Sequence, residues 1–367
     1  MRLPLPRRVV TAALVGPLLL AGCRGEDPAP PPPVASETPA EEPEPEPEAE
    51  PEPEPEPTAR APLSGTLLTD EGAAVLAERP VLITKVENSP QARPQAGLDH
   101  ADVVLEELVE GGVTRFIAIL HSDLPDDVGP VRSGRPVDVA IGSGFGESVF
   151  VYSGARAQVQ GMLRASPMVL LEEGAPGVRR VSDRRPPHNV FIRPAEVLAA
   201  GIERGAGPFS VAPWAFADEA PDGALACAAD STGCTDPGAS ITVPMSRSNR
   251  TGWTYDAAAE LYRRDQNGQA STVTGSGRIG AANVVVLATR HYTDGCCDTN
   301  GAPYSETDVI GEDVAIILRD GQRFDARWRK TAADQPLELL GPGGEPFQLK
   351  PGPTWIHLPS SEVVAGM

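Results

Sequence analysis

Four arginines stand out in a chain that is otherwise acidic: Arg93, Arg115, Arg132 and Arg135. Two of them belong to the run Gly129-Pro-Val-Arg-Ser-Gly-Arg135, which leads into Pro136, a residue suited to the first turn of a helix. Such a segment would hold two guanidinium forks, the Ser133 hydroxyl and free backbone N–H groups in one place. Guanidinium groups and helix N-termini both favour carboxylate or phosphate, so the expected chemistry is anion binding. Internal pairing would use the same residues, with Arg132 and Arg135 held by Glu106, Glu110 or Asp138 in a buried ion network. The candidate ligand-binding set is Asn88, Arg93, Glu110, Arg115, Arg132, Ser133, Arg135, Asp138, His188 and Asn189.

Acid–base chemistry has two weaker candidates, Glu106 and His188. Asp99, Asp102, Glu106, Glu107 and Glu110 form an acidic stretch, and paired carboxylates can act on a glycoside. Strand positions i and i+4 would set Glu106 and Glu110 about 13 Å apart, wider than glycosidases use, so Glu106 would need a partner from another strand. His188 follows two prolines in Arg184-Arg-Pro-Pro-His-Asn189, and a titratable imidazole on a stiff loop can move protons or simply satisfy a turn. Ser133 or Ser153 as a nucleophile beside His188 lacks the Gly-x-Ser-x-Gly elbow. Gly142-Ser-Gly-Phe-Gly146 lacks the lysine of a phosphate loop, and no cofactor or metal is expected.

These groups are carried by alternating strands and helices. Pro80–Glu87, Ala101–Glu110, Val113–Leu120 and Val149–Ser153 read as strands; segments starting at Pro136, Ala155 and Pro194 read as helices. If Gly111-Gly112 is a two-residue turn, Glu110 pairs with Val113 and Leu108 with Arg115, putting Glu106, Leu108, Glu110 and Arg115 on one face. Beyond Pro208 the pattern turns to strands, with hairpins at Asn267-Gly268 and Asp320-Gly321 and apolar strands at Asn283–Thr289 and Thr354–Leu358. The expected class is α+β: an N-terminal α/β domain over 63–210, a loop or linker over 211–240, and a smaller β-dominated C-terminal domain over 241–367. Trp328 and Trp355 are expected in its core.

The first residues set the compartment. Arg2, Arg7 and Arg8 precede an apolar run, Val9–Leu20, too short to span a bilayer. Leu19-Leu-Ala-Gly-Cys23 then reads as a lipoprotein signal, so 1–22 is an expected signal peptide and Cys23 the lipidated residue. The mature chain is expected outside the cytoplasm, anchored to the cell membrane. Residues 23–62 hold 14 of the 40 prolines and a Glu-Pro repeat, an expected disordered linker with little apolar to bury. The formal net charge of −20 disfavours nucleic acid as a partner. Cys227, Cys234, Cys296 and Cys297 form an even set in an oxidising compartment, which favours disulfides in one of three pairings over a zinc site.

Several runs together are similar to one family. Asn88-Ser-Pro-Gln-Ala-Arg-Pro-Gln-Ala-Gly-Leu98, Ala101-Asp-Val-Val104, Glu106, Glu110-Gly111, Val113-Thr-Arg-Phe116, Gly129–Arg135 and Pro187-His-Asn189 resemble the YerB-like lipoproteins. Tyr255-Asp256, Tyr262-Arg263, Asn283-Val284, Trp328-Arg-Lys330 and Gly352-Pro-Thr-Trp-Ile356 continue the resemblance through the β half. It covers about residues 80–359 and implies an envelope lipoprotein with α/β and β domains, without implying an activity. Gly134 stands where that pattern often has alanine, and the two cysteine pairs lie outside it. Three readings follow: a lipoprotein binding an anionic wall polymer, glycan or peptide; a hydrolase or transferase acting on peptidoglycan or its polysaccharide; or a scaffold for an envelope protein.

Overall fold

The computed structural model describes residues 59–225, 237–297 and 301–367, with Cys296 by its backbone alone. The expected signal peptide, Cys23, Cys227 and Cys234 lie outside those residues. The linker expected through residue 62 gives way to folded chain sooner. Ala59 and Arg60 pair with Leu68 and Leu67, and Ala61 and Leu63 are buried, because apolar side chains return once the Glu-Pro repeat ends.

The elements that matter here, in chain order, are β1 (Leu82–Glu87), β2 (Val103–Leu108), β3 (Thr114–Leu120), α1 (Pro136–Gly142), β4 (Val149–Val151), α2 (Ala157–Ala165), β5 (Val169–Leu171) and α3 (Pro194–Ile202). They are followed by β6 (Ser240–Pro244), β7 (Arg250–Asp256), β8 (Leu261–Gln266), β9 (Asn283–Leu287), β10 (Arg290–Cys297) and β11 (Pro303–Asp308). The chain closes with β12 (Gly311–Arg319), β13 (Gln322–Lys330), β14 (Glu338–Leu340) and β15 (Thr354–His357). The α+β class holds.

Ten strands form one mixed sheet in the order β14-β13-β12-β9-β15-β2-β3-β1-β4-β5. The last strand, β15, lies between β9 and β2 and runs parallel to both. The two halves of the sequence therefore share one sheet. Its central strands are covered on both faces, which is why Val81-Leu-Ile and Asn283-Val-Val-Val-Leu287 are apolar without alternation. Val86, Val104, Phe116 and Trp355 face a second sheet built on β6, β7 and β8, together with α3. Ile83, Leu105, Ile117 and Ile356 face α1 and α2. Trp328 and Trp355 are both buried, as expected of core residues. Asn267-Gly268 and Asp320-Gly321 have positive φ at both positions, the turn that a two-residue hairpin requires.

The Gly111-Gly112 turn is longer than expected. Glu110–Gly112 form a short 3-10 turn, the Val109 N–H donates to the Val113 carbonyl, and Leu108 pairs with Thr114. Arg115 is thereby opposite Glu107 rather than Leu108. One residue of slip moves a strand side chain to the other face. Glu106 and Arg115 consequently lie on opposite faces of the sheet.

Glu106 joins the two sheets and is fully buried. Its carboxylate accepts from Thr114 Oγ1 at 2.7 Å, Thr251 Oγ1 at 2.9 Å and the Arg264 guanidinium at 3.0 Å. Trp253 Nε1 donates to His357 Nε2 at 2.8 Å, so the His357 proton is on Nδ1, 3.0 Å from Glu106. Burial pushes His357 down, in keeping with a neutral ring. Burial alone would raise Glu106, but Arg264, His357 and Thr114 hold it well below the usual carboxylate range. Arg264 stacks over Phe116 and Trp355, each 5.1 Å from its guanidinium carbon. Glu106→Gln leaves that guanidinium buried without a counter-charge and should cost about 3–5 kcal/mol in urea denaturation. A depressed carboxyl contributes stability above its unfolded value that is lost as pH falls, so the wild-type advantage should shrink below about pH 4.5. A loss under about 1 kcal/mol would contradict this role.

Candidate functional site

Arg115 is the centre of the opposite face. It lies on β3 directly between two acidic neighbours, Glu87 on β1 and Glu107 on β2. Cross-strand partners stand close enough to pair. Neither does so, because each carboxylate is engaged elsewhere. Glu107 accepts from Lys85, which also reaches Asp138 at 2.6 Å. Glu87 accepts from His188 Nδ1 at 2.9 Å and Ser89 Oγ at 2.8 Å, with Arg132 Nε at 3.5 Å. Among the described residues Arg115 is in no ion pair and makes one side-chain hydrogen bond, to the Ser133 carbonyl at 2.9 Å. It is 9% exposed. Burial lowers it to about 10, and the neighbouring charges of Arg135 and Arg132 add to the effect.

The Gly129–Arg135 segment brings those neighbours in. Its backbone runs alongside the end of β1: the Arg132 N–H donates to the Lys85 carbonyl, and the Glu87 N–H to that of Pro130. Arg135 pairs with Glu110 at 2.5 Å and also reaches the Ser133 carbonyl at 3.3 Å, so two guanidinium groups converge on one oxygen. Most of the N–H groups expected to be free here are taken. Those of Val131, Arg132 and Gly134 bond the carbonyls of Val190, Lys85 and Gly154, and that of Arg135 bonds Asp138 at 2.6 Å. The polar groups this segment offers are mainly side chains.

The C-terminal half contributes a cover. Strands β10 and β11 pair with each other, and β11 packs on α1, β2 and the Glu110 turn. Arg156, at the start of α2, pairs with Asp294 at 2.8 Å and Glu306 at 2.6 Å and lies 4.5 Å from the Tyr304 ring centroid. Burial, opposed by Arg156 and reinforced by Glu107, pushes Glu306 up to about 7.

Two family models match the chain. One, described as "Protein of unknown function (DUF3048) N-terminal domain", matches residues 63–206, and its C-terminal counterpart matches 241–356. The chain belongs to this family. It is 28% identical over 308 residues to "Putative lipoprotein YerB" of Bacillus subtilis (strain 168), covering 82% of this chain and 86% of that one. The crystal structure of YerB from Bacillus subtilis matches with a TM-score of 0.68 and 25% identity over 83% of this chain and 98% of that chain. The family's two parts meet at this site, since Arg115, Arg132 and Arg135 fall in the first match and Glu306 in the second.

The residues singled out from the sequence separate into groups. Arg115, Arg132, Ser133, Arg135, Glu110 and Asp138 come together, with His188 joined to them through Glu87. Asn88 and Arg93 lie with Glu106 on the other face: Asn88 donates to Thr114 at 2.7 Å and accepts from Arg93 at 3.1 Å. Asn189 accepts from Arg180 at 2.7 Å. Ser153 donates to Glu173, not to His188. Glu106 has no route to solvent and is held ionised, which leaves it no proton to give. Lys85, Glu87, Arg156 and Glu306 escaped sequence reading, and Glu107 entered it only within the acidic stretch. Lys85 and Glu87 did carry a signal, two charges inside the apolar run Leu82-Ile-Thr-Lys-Val-Glu87.

Glu306 gives the site a pH dependence. Between its unfolded value near 4.5 and about 7, the folded state keeps a proton that the unfolded state has released. Stability from this group is therefore full below 4.5 and falls as pH rises through 7, by at most about 1.4 kcal/mol per pH unit for one proton. Urea denaturation from pH 5 to 8 should show wild type losing ground against Glu306→Gln as pH rises. A difference that does not change with pH would contradict the shifted carboxyl.

Proposed function

We propose that this protein is a lipid-anchored envelope protein that binds an anionic ligand at the arginine cluster. The observation that carries the reading is Arg115, a guanidinium nine-tenths buried whose two cross-strand carboxylates are committed to other partners. Glu107 and Glu110 offset that charge only from a distance, and an incoming carboxylate or phosphate would pair with it directly. Three arginines within range of one another make the site more favourable to an anion than a single pair would be.

Location is supported by two independent features. Leu19-Leu-Ala-Gly-Cys23 has the form of a lipidation signal, and the similar Bacillus subtilis protein carries the name of a lipoprotein. Cys23 is the proposed anchor, and the Pro/Glu-rich stretch after it would set the folded part away from the membrane. At roughly 3.1 Å per residue such a stretch reaches on the order of 100 Å. A wall polymer, glycan or peptide bearing anionic groups is the ligand class within that reach.

Calorimetric titration with inorganic phosphate and with acetate tests the binding. Arg115→Gln should weaken phosphate binding at least about tenfold, the loss of one charge-assisted contact. Unchanged affinity would remove Arg115 from any ligand site. Separately, Cys23→Ser should abolish incorporation of labelled palmitate and shift the protein from the membrane fraction to the medium. Retention of label would exclude Cys23 as the anchor.

A further inference from the structure

His188 is held in the geometry of a general base, and the residue that holds it also touches the arginine cluster. Glu87 is nearly fully buried and accepts from the ring at 2.9 Å. A carboxylate has no proton to offer when ionised, so the imidazole donates from Nδ1 and its lone pair is on Nε2. Nε2 has no hydrogen-bond partner among the described residues, and the His188 side chain is 22% exposed. The other oxygen of Glu87 faces Arg132 Nε at 3.5 Å. One carboxylate therefore spans the basic ring and the guanidinium group, and Arg115 is its direct neighbour across the strands. Ser89 Oγ completes the grip on Glu87 at 2.8 Å. The ring is also fixed from its own side: the His188 N–H donates to the Arg185 carbonyl, closing the turn that presents it.

We infer that this pair makes the cluster a hydrolytic site for phosphodiesters. The inference rests on the anion-binding reading of Arg115, Arg132 and Arg135. Arg115, without an ion pair of its own among the described residues, beside Arg132 and Arg135, which face Glu87 and Glu110, suits a phosphoryl group whose oxygens gain charge as a nucleophile adds. His188 Nε2 takes a proton from a water molecule while the water oxygen forms a bond to phosphorus. The bond from phosphorus to the alkoxide breaks on the opposite side, where the alkoxide takes a proton from solvent water, and Nε2 returns its own proton to the hydroxide so formed. The products are a phosphomonoester and an alcohol, and no other reactant is needed. Glu87 acts as a positioning residue, fixing the tautomer and the angle of the ring.

The test uses the lipidated full chain in detergent with bis(4-nitrophenyl) phosphate as the probe. Wild type should release 4-nitrophenolate above the buffer rate. His188→Ala should lower kcat about 100-fold or more, the usual scale for a lost general base. Glu87→Gln should lower kcat less, and Arg115→Gln should raise KM. His188→Gln that still binds inorganic phosphate with wild-type affinity, yet does not turn over, would separate lost chemistry from lost folding. Wild type that binds phosphate and releases nothing above buffer overturns the hydrolytic inference and leaves anion binding standing. Wild type that neither binds nor cleaves overturns both. Equal rates for wild type and His188→Ala remove His188 from the chemistry.

Discussion

A carboxylate without access to water must be met by donors on every side, and Glu106 draws those donors from both halves of the chain. Thr114 comes from the neighbouring strand, Arg264 and Thr251 from the second sheet, and His357 from the C-terminal strand β15. Removing Arg264 would leave the charge unpaired in a low-dielectric interior, and removing a neutral donor would leave an oxygen short of a hydrogen bond; both carry a penalty. This interaction fixes how the second sheet sits on the first. It also fixes β15 beside β2, the pairing by which the two halves become one sheet.

The opposite face obeys the same physics with a different outcome. Lys85, Glu107 and Asp138 satisfy one another, and Arg135 is matched by Glu110. Arg115 is left over because Glu87 turns to His188 instead. A folded protein that carries a guanidinium in this state gives up stability at that point, and such concessions gather at sites of function. The cover formed by β10 and β11 brings a second unusual group, Glu306, to the same place, at a pH value where small changes alter its charge.

The family match divides the chain at the segment between residues 206 and 241. The packing does not follow that division. Residues from before it build the arginine cluster, residues from after it cover the cluster, and β15 stands between strands of both. A ligand at this site would touch a composite surface, so neither half alone would present it whole.

Much of the frame was legible in the sequence. The apolar runs at Leu82 and Asn283, the Asn-Gly and Asp-Gly turns, the helix starts at Pro136 and Pro194, and the two core tryptophans all follow from local pattern, because strand and helix periods and turn dihedrals are set by near neighbours. The arginine loop was legible too, as was the family resemblance. The hairpin register was not: glycines at 111 and 112 suit several turn lengths, and one residue decides whether Arg115 faces Glu106 or Glu107. Pairing between distant residues lay further beyond reach. Glu87 meets His188 across 101 positions, Glu106 meets Arg264 across 158, and Arg156 meets Glu306 across 150. Sequence by itself determined which residues are charged and which segments are buried. Only the tertiary structure decided which charges neutralise each other, because a buried ion is matched by whatever the fold brings within a few ångströms.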